Sequence, residues 1–253
     1  MTTNQEFHGL TALVTGSSNG IGAATAVAFA ERGAHVLIQY GKGKSEAERV
    51  LGKVRESGSG GETLGADLSR AEGVHAFLES IRGRSIDILI NNAGSLIQRM
   101  KFVDFTEEYW DQVMMLNLTS AMLITKAVVP HMLEKKRGFI VNVSSVAARN
   151  GGGIGAMAYA SAKAALSAMT KGLAKELAPQ GIRVNTVSPG TIETNFHRTF
   201  STSEMLDKVR AATPVQRLGT SEEVADVIVF LCTDGARFIH GQAIEVNGGF
   251  LML

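Results

Sequence analysis

The sequence predicts an α/β protein with a doubly wound, seven-stranded parallel sheet and helices on both faces. Three observations carry this. Seven short runs, most of them rich in Val, Ile and Leu, are separated by segments of helical character. Most of the runs are largely apolar, as strands covered on both faces tend to be. Glycine- or asparagine-rich turns follow several runs directly, and open parallel sheets bind ligands beyond such strand ends.

Residues 10–15 read as the first strand, broken by Gly16-Ser-Ser-Asn-Gly20-Ile-Gly22. A helix follows over 23–32, stopped by Gly33, and 34–40 is the second strand. Strand, helix and strand with short joints make a βαβ unit with a right-handed crossover. Ser45 and Glu48 stand at capping-box spacing and open a helix that ends near Ser57. Residues 62–66 form the third strand, and Ser69 with Glu72 opens the next helix in the same way. The fourth strand is 86–90. Thr106, followed by Glu107 and Glu108, starts a long helix through Asn117 to about 135. The fifth strand is 139–143, and the helix carrying Tyr159 ends near Pro179. The sixth strand is 182–187. Thr220 and Glu223 open a late helix through Leu231, and 243–246 is the seventh strand, turned by Gly248-Gly249. No repeat or linker divides residues 1–253, which read as a single Rossmann-type domain. The one long irregular stretch, about 189–214, holds short helical patches at most and has the length of a lid or binding segment.

Charged residues make up 19% of the chain and the net charge is +1. No strong field draws it to nucleic acid or an anionic membrane, and neither is expected as a partner. Lys135-Lys136-Arg137 is the one tight basic cluster; it precedes Gly138 and belongs at a helix C-terminus. Cys232 is the only cysteine and lies in an apolar run, so a buried, inert thiol is expected, with no disulfide and no cysteine-built metal site. No metal is expected at all. The N-terminus lacks a leader pattern, and no stretch of about 18 apolar residues is seen. A reducing, cytoplasmic compartment is the expectation.

The chemistry centres on Tyr159-Ala-Ser-Ala-Lys163. On a helix these two side chains share a face. A free tyrosine has a pKa of about 10, and a neighbouring cation lowers it toward the range of proton transfer. Alone, the pair is more often one half-buried aromatic beside one solvated lysine; its company reverses that. Gly16 to Gly22 follows a strand and opens a helix, so its backbone N–H groups meet a pyrophosphate at the positive end of the helix dipole. Asn91-Asn-Ala-Gly94, Ser144-Ser145 and Pro189-Gly190 each follow a strand. Turns from four strands thus converge on one sheet edge.

In that order, these motifs, completed by Asn185-x-Val-x-Pro-Gly-x-x-x-Thr194, resemble the short-chain dehydrogenase/reductase family over the whole chain. The likeness is greatest to its 3-oxoacyl-carrier-protein reductase and glucose-dehydrogenase-like branches. The resemblance implies hydride transfer between a nicotinamide and a carbonyl or alcohol, with Tyr159 as general acid or base. Lys163 would hold the nicotinamide ribose and lower the tyrosine pKa, Ser145 would bind the substrate oxygen, and Asn117 would hold a relay water. Fourteen positions separate Ser145 from Tyr159, one more than the family pattern, with Gly151-Gly-Gly-Ile-Gly155 between them to absorb the slack.

For the cofactor, Gly16, Ser18, Asn19, Gly20 and Ile21 would line the pyrophosphate and ribose. Tyr40, Lys42, Asp67 and Leu68 fall at the adenosine end, flanked by Asn91, Ala93 and Gly94. Pro189, Gly190, Ile192 and Thr194 would seat the nicotinamide amide. NAD-binding relatives carry an acid at the end of the second strand. Tyr40 stands there, with Lys42, Lys44 and Ser45 after it, so NADPH is expected over NADH, although Asn19 stands where NADP-preferring relatives often have a basic residue.

Leu96, Ile97, Met157, Phe196, Phe200, Met205 and Leu206 are the candidate walls of an apolar substrate site. Arg99, Lys101 and the 135–137 cluster offer a basic rim for a carrier protein, but Gln180 stands where a carrier-protein reductase often has arginine. The tail Phe250-Leu-Met-Leu253 is too apolar for a free end and, with the resemblance, implies a homotetramer. The alternative class, a cofactor-sensing or scaffolding protein on the same fold, usually lacks the tyrosine or lysine. Here Asn117, Ser145, Tyr159 and Lys163 are all present.

Overall fold

The computed structural model of the protein describes residues 5–252. Strands β1 (Thr11–Val14), β2 (His35–Tyr40), β3 (Gly61–Gly65), β4 (Ile88–Asn91), β5 (Gly138–Val143), β6 (Ile182–Pro189) and β7 (Ala243–Val246) form one sheet in the order 3-2-1-4-5-6-7. Every pairing is parallel. The chain runs outward in one direction from β1 and in the other from β4. The carboxyl ends of these two strands therefore flank the crevice where the order reverses, the ligand position of open α/β sheets.

Alternate strand residues feed two cores. Val14, Val36, Ile38 and Ile90 pack against helices α1 (Gly20–Ala30), α2 (Lys44–Glu56) and the late helix Ser221–Cys232. Leu13, Leu37, Leu89 and Ile140 face α3 (Ala71–Ile81) and the helices that follow it. This is why most of the strand runs are apolar on both faces.

The long helix starts as expected: the Thr106 hydroxyl accepts from the Tyr109 N–H (3.1 Å). It is not one α-helix, however. α4 (Glu107–Met114) passes through a π turn at Met115–Thr119 into α5 (Ser120–Lys135). Contrary to the sequence expectation, this run (Glu107–Lys135) is long and apolar enough to cross a membrane by length and composition. Its Ile124, Val128 and Met132 are instead committed to the core beside β4 and β5. α5 ends at the basic cluster, where Lys136 turns left-handed (φ 51°).

Of the three capping boxes read from the sequence, one forms. Thr220 and the Glu223 carboxylate exchange both bonds at the start of Ser221–Cys232. At α2 the cap residue is Gly43, with no side-chain bond, and Glu48 accepts from Thr63 Oγ1 (2.8 Å). At α3 the Ser69 hydroxyl donates to Asp67 Oδ1 (2.7 Å), and the helix starts later, capped by Arg70. In both places a tertiary or turn partner captured the side chain first.

A short helix α6 (Ala147–Asn150) precedes α7 (Met157–Leu177). The stretch after β6 is more regular than expected, with α8 (Asn195–Phe200) and α9 (Ser203–Ala212) before α10 (Ser221–Cys232). Cys232 is buried, and burial pushes its thiol up to about 12. The apolar tail is partly satisfied by its own chain: Phe250 and Leu251 are half-buried, and Asn247 Nδ2 donates to the Leu251 carbonyl (2.9 Å). Met252 is 76% exposed, and Leu253 lies outside the described residues.

Candidate active site

The first turn is built by its neighbours. Gln39, buried on β2, accepts from the Gly16 N–H (2.9 Å) and donates to the carbonyls of Tyr40 and Ala66 (2.9 Å each). The Thr15 hydroxyl accepts from the N–H groups of Asn92 and Ala93 (3.0 Å each), tying the end of β4 to the end of β1. Gly16 has φ 63°, and a Cβ there would lie 2.9 Å from Ala93 Cα. The turn thus presents bare backbone. Asn19 caps α1 without a side-chain bond, so no side chain covers its N-terminal amides.

Beneath the site runs a buried polar ladder. Asn91 Nδ2 donates to Asn142 Oδ1 (2.8 Å) and Thr125 Oγ1 (3.1 Å), Asn142 Nδ2 to Thr170 Oγ1 (2.8 Å), and Thr186 Oγ1 to Thr170 Oγ1 (2.7 Å). These bonds lock the ends of β4, β5 and β6 to α5 and α7. Asn91 is therefore spent inside the ladder, and Asn92 is the asparagine that faces the crevice, holding the carbonyls of Thr15 and Gly16 (2.9 and 3.1 Å).

Ser144 and Ser145 are separated by geometry. The Ser144 hydroxyl is buried against α7, on the Lys163 carbonyl and the Ser167 hydroxyl (2.9 Å each). Ser145 Oγ accepts from the Ala147 N–H (3.1 Å) and lies beside the Tyr159 hydroxyl. Lys163 is buried; its Nζ donates to the Val143 carbonyl (2.8 Å) and sits 5.7 Å from the Tyr159 ring centre. Gly94 lets Asn117 and Lys163 approach: a Cβ there would fall 2.7 Å from Asn117 Oδ1 and 2.9 Å from Lys163 Nζ. Asn117 stands in the π turn, donates to the carbonyls of Ser95 and Val113 (2.8 and 2.9 Å), and accepts from the Ser95 N–H (3.1 Å).

Burial is the largest electrostatic influence on both groups. It pushes the Tyr159 phenol up to about 12, with Ser145 pulling it back, and drops the Lys163 ammonium to about 8. Desolvation disfavours both charged forms.

A cavity of about 600 Å³ joins these parts. At one end it is lined by Gly16, Ser18, Asn19, Gly20, Ile21, Ala93 and Gly94; Ser145, Tyr159 and Lys163 stand at its centre, with Pro189, Gly190, Ile192 and Thr194 alongside. Tyr40, Lys42, Asp67 and Leu68 lie outside this lining: Lys42 and Asp67 are exposed beyond the glycine turn, Tyr40 is half-buried and Leu68 buried. The Ser69 hydrogen bonds, with a lesser pull from Lys42 and Arg70, hold the Asp67 carboxyl below the usual range. Leu96, Phe196, Met205 and Leu206 line the other end, joined by Val209 and Phe250. Ile97, Met157 and Phe200 do not line it. Ile97 packs in the small cluster around Tyr109, and Met157 is exposed.

A family model described as enoyl-(acyl carrier protein) reductase matches residues 16–251. The chain belongs to the short-chain dehydrogenase/reductase family. It is 39% identical to the 3-oxoacyl-[acyl-carrier-protein] reductase FabG of Vibrio cholerae serotype O1, over 97% of this chain and 98% of that one. The solved 3-oxoacyl-[acyl-carrier protein] reductase from Brucella melitensis superposes with a TM-score of 0.90 at 34% identity, covering 99% and 94% of the two chains. A 7 alpha-hydroxysteroid dehydrogenase complexed with NADH and 7-oxo glycochenodeoxycholic acid also gives 0.90, at 30% identity and 98% and 97% coverage. The protein is thus an NAD(P)-dependent short-chain oxidoreductase. Its bare glycine turn and uncovered helix N-terminus fit the pyrophosphate of such a dinucleotide.

Sequence reasoning missed Asn92, His197 and Ser201 as lining residues and set Arg99 on a docking rim where the structure puts it in the cavity wall. Asn92 was legible as the second asparagine of its motif. The other three depend on how residues 191–212 fold back, which no local pattern announces.

Proposed function

We propose that the protein is an NADP(H)-dependent reductase of a small carbonyl substrate, with Tyr159 as general acid. The single observation that carries this is the Tyr159 hydroxyl beside Ser145, with Lys163 next to it, in the crevice at the sheet's switch point. Burial holds the phenol in its protonated form, the form that can donate a proton. The bound nicotinamide supplies the hydride. The Ser145 hydroxyl donates to the carbonyl oxygen and steadies the negative charge that grows there. The Tyr159 proton passes to that oxygen as the carbonyl carbon gains the hydride. Lys163 would hold the nicotinamide ribose, and Asn117 fixes the Ser95 backbone across Gly94.

NADPH is favoured because Tyr40, not an acid, ends β2, and Lys42 is exposed beyond it. The other assigned cofactor residues keep the roles stated for them, with Asn91 acting through the ladder and not by contact. A reducing, cytoplasmic setting fits the sole, buried Cys232. A homotetramer fits exposed apolar side chains such as Met252 and Phe238 (76% and 99% exposed) and is tested by light scattering, where a monomer refutes it. Tyr159→Phe keeps the ring and removes the proton; turnover of a ketone panel, followed by NADPH absorbance, should fall by about 10²–10⁴-fold while NADPH binding persists. Turnover near the wild-type level would refute the assignment. A kcat/KM for NADH above that for NADPH would refute the cofactor preference.

A further inference from the structure

No Asp or Glu lines the cavity, while two formal cations do: Lys163 at its centre and Arg99 at the substrate end. Lys163 is committed to the Val143 carbonyl. Arg99 is held differently. Its Nε donates to the Phe200 carbonyl (2.7 Å) and its Nη1 to the Ile154 carbonyl (2.9 Å), so two opposite loops fix the plane of the guanidinium. Among the described residues it pairs with no carboxylate. Its Nη2 makes no hydrogen bond with a described residue. A guanidinium keeps its charge throughout the accessible pH range and presents a fork that matches a carboxylate. Its field also reaches inward: with burial as the larger cause, Arg99 helps push His197, another lining residue, down to about 4. His197 is therefore neutral at working pH and does not compete for an anion.

We propose that Arg99 is a specificity-determining residue and that the carbonyl substrate carries a carboxylate, bound at the Arg99 fork while its oxo group lies at Tyr159. The proposal rests on the carbonyl-reductase reading of the same site. The Tyr159 ring lies 5.8 Å from Phe196, which lies 5.1 Å from Phe200, the residue whose carbonyl Arg99 grips. The aromatic residues Phe196 and Phe200 thus link the reacting end to the anchoring end, and the substrate is an oxo acid whose chain length the test below reads out. Reduction turns it into a hydroxy acid with the carboxylate untouched.

The test pairs acids with their neutral amides: acetoacetate, 5-oxohexanoate and 7-oxooctanoate, each against its amide, in wild type, Arg99→Gln and Arg99→Lys. The readout is the ratio of kcat/KM for acid over amide. A lost charge-assisted pair predicts a wild-type ratio of about 10 or more for at least one chain length, falling about tenfold in Arg99→Gln and less in Arg99→Lys. If Arg99 only clamps the two loops, acid and amide suffer equally and the ratio does not move, which overturns the proposal. A wild-type ratio near 1 at every length overturns it too. The same pairs are titrated calorimetrically into the NADPH-bound Tyr159→Phe protein, where selective acid binding lost in Tyr159→Phe/Arg99→Gln supports the anion site without any turnover. If wild type reduces no ketone yet the acids still bind selectively through Arg99, the reductase reading fails and the anion site stands. If the amides are reduced as well as the acids, the reverse holds.

Discussion

The two ends of the cavity are made by different means. The dinucleotide end is main chain and sheet: Thr15, Gln39 and Asn92 tie three strand ends together, and the Asn91–Asn142–Thr170–Thr186 ladder lies buried under it. The substrate end is two short helices, α8 and α9, neither of which has a buried residue. Rigid geometry is placed where hydride and proton must meet to within a fraction of an ångström. The half that must fit one molecule and not another is left on elements that few contacts hold. Local stability follows buried contacts, so the two ends should respond to substitution with different readouts.

The largest difference is expected at Lys163. Its folded value of about 8 lies below the ordinary 10.5, because burial penalises the ammonium. Between about 8 and 10.5 the unfolded chain therefore holds a proton that the folded chain has released. More protons in the unfolded state mean that stability rises with pH across this window, while below about 8 the burial penalty is present in full. Lys163→Met removes this contribution. The wild-type minus Lys163→Met difference in unfolding free energy should climb by up to about 3 kcal/mol over the window, in denaturant titrations at stepped pH. Taking the difference cancels the opposite trends of Tyr159 and Cys232, whose pKa values burial raises. A flat difference would mean that the lysine is solvated, and the rigid-end picture would fail with it. Next comes Gly16→Ala. A left-handed φ of 63° and a Cβ 2.9 Å from Ala93 Cα leave no room for relaxation. A loss on the order of 1–2 kcal/mol is expected in thermal unfolding, together with weaker NADPH binding by fluorescence titration.

The same contrast explains what could be read in advance. Strand identities followed from unbroken apolar runs, and β7 was read to the residue. The glycine turn and the Tyr159–Lys163 face were legible because chemistry at a strand end requires those residue types at those spacings. Three things were not legible. The π turn at Asn117, whose side chain bonds the Val113 carbonyl, has no local pattern that announces it. Ser45 and Ser69 are sound capping residues by pattern, but the helices start elsewhere because Thr63 takes Glu48 and Asp67 takes Ser69. Arg99 gained its place only when residues 154 and 200, far apart in sequence, closed on it. Local rules fail where long-range partners compete with local ones.

A matched pair of caps gives the smallest and sharpest comparison. Thr220 and Thr202 are both threonine N-caps, on α10 and α9, with cap distances of 3.3 Å each. Thr220 belongs to a full capping box, and its helix buries Val224, Ala225, Ile228 and Val229 in the main core. Thr202 has a single bond on a helix that buries nothing. Thr220→Ala should therefore cost global stability by about 1 kcal/mol, seen as a lower midpoint in urea with an unchanged slope. Thr202→Ala should leave that midpoint within about 0.5 kcal/mol, because α9 can fray without the sheet opening. Its effect should appear as faster amide exchange confined to α9 and a raised KM for the ketone, since Met205, Leu206 and Val209 of α9 line the cavity. NADPH affinity, set at the other end, should not change. Equal midpoint losses in the two variants would show α9 to be as firmly built into the cooperative fold as α10. The division between a rigid dinucleotide end and a loosely held substrate end would then be wrong.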